Sequence, residues 1–76
     1  MNKASIVSLM QNIGKLDAGT EAVVGNFTIS RGKSHHRTYD IRHGATTICG
    51  GYIPAKADPE TFPIRMAIEA VTNMNI

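Results

Sequence analysis

His35, His36 and His43 fall within the thirteen residues Arg31 to His43, together with Ser34, Asp40 and four of the chain's eight lysines and arginines. Those residue types could support three chemistries. Serine with histidine and aspartate is the composition of a hydrolytic triad. Histidines with the single cysteine, Cys49, could hold a metal ion or activate a thiol. Arg31, Lys33, Arg37 and Arg42, opposed only by Asp40, could bind an anionic partner.

Spacing decides among them. Successive side chains on a strand point to opposite faces, which separates His35 from His36 and gives His36 and His43 opposite parity. His35 and His43 share a side but lie too far apart along one strand to grip one ion. No Cys-x-x-Cys or His-x-x-x-His spacing occurs, so no metal site is expected. The triad residues lack a strained nucleophile turn and an oxyanion loop, and so small a chain rarely encloses a substrate. Cys49 lies in an apolar strand segment and reads as a small buried hydrophobe. Neither the phosphate-loop pattern nor the dinucleotide fingerprint is present among the glycines. The expectation is a protein that is not an enzyme and carries no cofactor.

The elements that must present the cations follow from periodicity. Ile6, Leu9, Met10, Ile13 and Leu16 recur every three or four residues, which predicts an amphipathic helix within 4–16 that ends near residue 14 to 16, capped by Asn2 or Ser5, with Gly14 and the Asp17-Ala18-Gly19-Thr20 segment supplying the exit. Ala22 to Arg31 alternates with period two and predicts one strand, with Val23, Phe27 and Ile29 inward. Gly32-Lys33-Ser34-His35 turns the chain. His36 to His43 predicts a second strand with Tyr39 and Ile41 inward and His36, Thr38, Asp40 and Arg42 outward. Gly44-Ala45 turns it again into a third strand, Thr46 to Ile53, where Gly50-Gly51 marks a bulge or a close backbone approach. Pro54 to Pro63 is a connector containing all three prolines. Beyond it Ile64, Ala67, Ile68, Val71 and Met74 share a helical face. That helix is either preceded by a short turn and capped by Thr61, or kinked by Pro63. Met10 and Met74 fall on inward faces, whereas Met66 lies off the stripe and forms either an exposed apolar spot or an ordinary partly buried contact.

The predicted order is α-β-β-β-α. It describes a single α+β domain over 1–76: a small two-layer fold, a three-stranded antiparallel meander packed by two helices. At 76 residues, 42% hydrophobic and 18% charged, the chain has a globular composition. A domain of this size buries only about 60% of its unfolded surface, so its stability margin is thin. One cysteine forms no internal disulfide, which favours a reducing cytoplasmic setting, and no apolar run is long enough to span a membrane. A net charge of +2 and a pI near 9.0 permit nucleic-acid binding without imposing it.

The α-β-β-β-α order is similar to that of the double-stranded RNA-binding domain, and Gly32-Lys33-Ser34-His35 stands where that family has a loop between its first two strands. The resemblance implies contact with RNA phosphates. The family's lysine cluster at the start of its second helix has no counterpart, because Asp58 and Glu60 occupy that stretch, with only Lys56 and Arg65 nearby. Acids at a helix N-terminus stand where a phosphate would dock.

Taken together, the residues predict a small protein-binding regulator or inhibitor, of the accessory kind that phages and mobile elements encode. It docks through a basic β-hairpin whose contact residues are Arg31, Lys33, His36, Arg37 and Arg42. Its expected partner is a protein with an acidic surface. A nucleic-acid module contacting phosphates through the same hairpin is the alternative, and pairing of copies through a strand edge is compatible with either.

Overall fold

In the computed structural model, which describes residues 1–75, the first apolar stripe forms helix α1, Lys3–Ile13. Asn2 is its N-cap, with Oδ1 accepting the Ser5 N–H at 2.8 Å. Gly14 ends it at φ +69, a conformation that few residues other than glycine adopt. The buried stripe is narrower than the sequence predicts: Ile6 and Met10 are buried while Leu9 is 43% exposed. Leu16 lies past the helix end, yet it is buried, and its N–H donates to the Glu60 carbonyl at 2.8 Å.

The predicted strand over 22–31 is two strands, β1 (Glu21–Val24) and β2 (Phe27–Arg31). Gly25-Asn26 reverses the chain between them, pairing Val24 with Phe27. Gly25 has φ +58 and Asn26 does not have a positive φ, the pattern of a type II′ hairpin turn. The reversal changes parity. Val24 joins Phe27 and Ile29 in the core, while Val23, expected inward, is 65% exposed. The three-strand expectation is therefore corrected to a four-stranded antiparallel sheet in the order β1-β2-β3-β4, with β3 at Thr38–His43 and β4 at Thr46–Tyr52. The additional strand also departs from the topology on which the RNA-binding resemblance rested.

Gly44 at φ +63 makes the second two-residue turn, between His43 and Thr46. The bulge expected at Gly50-Gly51 lies instead at Ile48, since Ile41 pairs with Cys49 and Arg42 with Thr47. Gly50 serves the other reading, a close approach: a Cβ there would sit 3.0 Å from the Tyr39 carbonyl oxygen.

A short turn leads into the last helix. The Asp58 carbonyl accepts the Thr61 and Phe62 N–H groups, and Asp58 Oδ1 accepts that of Glu60 at 3.0 Å. Helix α2 then runs Phe62–Asn73 with Thr61 as N-cap. Pro63 falls in the first turn, where its missing N–H leaves no intrahelical bond unmade, so the short-turn alternative holds in place of a kink, although the Thr61 side chain makes no capping hydrogen bond. Pro63, Ile64, Ala67 and Val71 are buried, and Met66 is partly buried against the core.

Both helices contact the sheet and each other, forming one α+β core between helix and sheet layers that centres on Phe27, Ile29, Ile41, Met10 and Val71. Core-facing strand positions follow the registers Ala22↔Ile29↔Ile41 and Val24↔Phe27↔His43. The opposite sheet face carries Glu21, Val23, Thr28, Ser30, Thr38, Asp40, Arg42 and Tyr52. No described helix is long and apolar enough to cross a membrane.

Gly25→Ala places a Cβ in a left-handed conformation and is expected to lower stability by about 1–2 kcal/mol. Asn2→Ala removes the α1 cap and is expected to lower it by about 1 kcal/mol. Urea denaturation measures both; a shifted midpoint with an unchanged slope is the expected result.

Candidate functional site

Residues 32–37 link β2 to β3 and form the tip of a hairpin. The Gly32 N–H donates to the Thr38 carbonyl at 2.9 Å, and the His36 N–H to the Lys33 carbonyl at 2.8 Å. A Cβ at Gly32 would meet Thr38 Oγ1 and force that side chain to move. Lys33, Ser34, His35, His36 and Arg37 are all exposed, and the rings of His35 and His36 lie 4.1 Å apart at a tilt of 48°. The predicted strand start at His36 therefore moves to Thr38, with both histidines in the loop.

The five residues expected to share one contact surface divide into two groups. Arg31 has the parity of Phe27 and Ile29 and turns toward the helices, where Nη1 donates to the Leu16 carbonyl at 2.7 Å. Arg42 lies on the open sheet face between two acids, 3.5 Å from Glu21 and 3.3 Å from Asp40. Its Nε is close enough to Asp40 for charge attraction but makes no hydrogen bond. Arg37 stays exposed but donates from Nη2 to the carbonyls of Pro54 and Ala57 and from Nε to that of Ile53. Lys33 and His36 form no side-chain hydrogen bond or ion pair among the described residues. Three of the five expected contact residues therefore have partners within the fold. Parity turns Arg31 inward, flanking acids neutralise Arg42, and Arg37 divides its donors between the connector and solvent.

The structure adds two residues to this end of the molecule. Tyr52 stands opposite Thr38 at the end of β4 and is 84% exposed. The turn 54–57, which Arg37 binds, carries Lys56 alongside the hairpin. On the other flank, the Gly19 N–H donates to the carbonyls of Arg31 and Gly32, bringing the loop that bears Asp17 beside Lys33. The alternation of β4 could have revealed Tyr52, which shares the parity of the open sheet face. Nothing local marks Lys56, whose placement depends on a contact between residues 37 and 57.

The remaining reactive side chains are used internally. His43 lies flat on Phe27, with ring centroids 4.4 Å apart and planes 8° from parallel, beside a shallow depression lined by Met1, Ile6, Gly25 and Asn26. Cys49 is partly buried, with Sγ 3.3 Å from the Tyr39 hydroxyl. Burial, and then the hydrogen bond and charge interaction with Cys49, push the Tyr39 phenol up to about 12 from 10.0. Among the described residues no group of three His, Cys, Asp or Glu side chains is placed to hold a metal ion.

Comparison with protein-family models, with curated proteins and with solved structures returns no match to this chain.

Structural and uncommitted cations should respond differently to truncation. Arg31→Ala leaves the Leu16 carbonyl without its donor and is expected to lower stability by about 1–3 kcal/mol, whereas Lys33→Ala should change it by less than about 0.5 kcal/mol. Chemical denaturation of the two variants checks the contrast. Tyr39 predicts a pH response at the alkaline end. Its folded pKa is raised, so the stability it contributes is complete below pH 10.0 and is lost as pH rises through about 12. Phenolate absorbance should show a late-titrating group, and Cys49→Ala should bring that titration to lower pH.

Proposed function

We propose that this chain is a small, non-catalytic protein-binding regulator or inhibitor that docks an acidic partner surface through the end of its β2–β3 hairpin. Tyr52 carries the reading. It is 84% exposed at the end of the sheet where Lys33, His36 and Arg37 lie. An aromatic ring among cations is the composition of an interface anchor with a polar rim. Gly32 and Arg37 tie the hairpin to the rest of the fold, so docking would require little further ordering. The surrounding positive charge would steer an acidic partner and fix its orientation.

The small number of cations at this end, of which Arg37 already donates to three carbonyls, favours protein over nucleic acid. If Lys33, Arg37 and Lys56 each neutralised one phosphate, log affinity would fall with log salt at a slope of about −3, the behaviour of a weak phosphate binder. An interface anchored by Tyr52 should depend less on salt and more on that single ring.

Immobilised wild type, a Tyr52→Ala variant and a Lys33→Glu/His36→Glu variant, exposed to cell lysate and to random single-stranded and duplex oligonucleotides, test this. The expected result is a retained protein whose affinity falls about 30-fold on Tyr52→Ala, equivalent to about 2 kcal/mol. It should also associate more slowly with the double variant. Retention of oligonucleotide with a slope near −3 would replace the reading with phosphate binding. Retention of neither would leave a solvated polar end without a partner.

A further inference from the structure

The sheet edge beside the site proposed above carries a second feature, and Tyr52 belongs to both. We propose that β4 pairs antiparallel with the β4 of a second copy about a two-fold axis, joining the two four-stranded sheets into one. Sequential strand order leaves β1 and β4 as edges. β1 is four residues long and begins with Glu21, a charge and brevity that discourage pairing. β4 is seven residues long, exposed along most of its length, and contains no charged residue and no proline. The bulge at Ile48 interrupts its first half, and Gly51, at φ +133, departs from regular strand geometry in its second.

Hydrogen-bond phase identifies the available backbone groups. The Thr38 carbonyl accepts from Gly32 on the β2 side, and the Ile53 N–H donates to the Arg37 carbonyl. Alternation then points the backbone of Tyr39 and Gly51 toward each other and that of Gly50 and Tyr52 away from the sheet. A two-fold register with Gly51 on the axis sets Gly50 of one copy opposite Tyr52 of the other, each pair exchanging two N–H···O bonds.

The side chains select this occupant over a foreign strand. Gly50 and Tyr52 both face the open side of the sheet, so the exposed ring of one copy would cover the bare glycine of the other, a favourable cross-strand pairing. No like charges meet across the axis, and a net charge of +2 produces little repulsion between copies. An unrelated peptide would need pockets for its alternate side chains, which a Gly50-Gly51 edge does not provide. Antiparallel pairing points the two hairpin tips in opposite directions.

Sedimentation velocity of the wild-type chain without any partner, from about 10 to 200 µM, should show a species of twice the 8.2 kDa chain mass growing with concentration. Amide exchange should slow at Gly50 and Tyr52 over the same range. Tyr52→Lys, altering an exposed side chain, should sediment as monomer with an unchanged circular dichroism spectrum. A wild type that stays monomeric, a dimer that persists in Tyr52→Lys, or concentration-dependent protection located on β1 or the helices would each overturn the proposal. A monomer that still captures a protein partner would sink the pairing alone, and a dimer that captures nothing would sink only the docking function.

Discussion

A reversal of the chain within two residues at Gly25-Asn26 organises the molecule. The positive φ of Gly25 allows Val24 and Phe27 to face each other and both to enter the core. The same reversal turns Val23 to solvent and lays Glu21 beside Ser30, within reach of Arg42. It also makes β2 an interior strand. Unpaired backbone is then confined to a short charged edge at β1 and a long uncharged one at β4.

The core lies on one side of the sheet. Helices α1 and α2 cover the face bearing Phe27, Ile29 and Ile41, and the other face remains mostly polar. A small one-sided core gives limited hydrophobic stabilisation, and connections between distant segments assume corresponding importance. Arg31 and Arg37 provide two of them. A guanidinium presents several donors in a rigid plane, so Arg37 can hold carbonyls at Ile53, Pro54 and Ala57 together, a role a lysine ammonium fills less well. Lys33, a flexible point charge beside the same loop, stays in solvent. The four cations of the central segment thus differ in function because of their neighbours, although their charges are alike.

Helical periodicity, the Asn2 cap and most of the apolar stripes of α1 and α2 were legible from local sequence, as were the hairpin loop at Gly32 and the inward positions of Phe27, Ile29, Tyr39 and Ile41. These features depend on contacts within a few residues, and spacing records them. The Gly25-Asn26 turn was also locally encoded, since a glycine-asparagine pair between alternating segments is a hairpin signal. The apparent continuity of alternation from Ala22 to Arg31 concealed it.

Tertiary structure decided the rest. Alternation alone turns Arg31 inward, but the Leu16 carbonyl that receives it comes from a loop fifteen residues away. The neutralisation of Arg42 requires β1 to fold back beside β2, and the arrival of Lys56 at the hairpin requires Arg37 to bind the proline-containing connector. Local sequence set which residues could form helices, strands and turns because those choices are governed by short-range backbone and periodic side-chain preferences. Which cations remained without an intramolecular partner depended on long-range pairing, because a charge stays in solvent only where no carbonyl or carboxylate from another part of the chain has reached it.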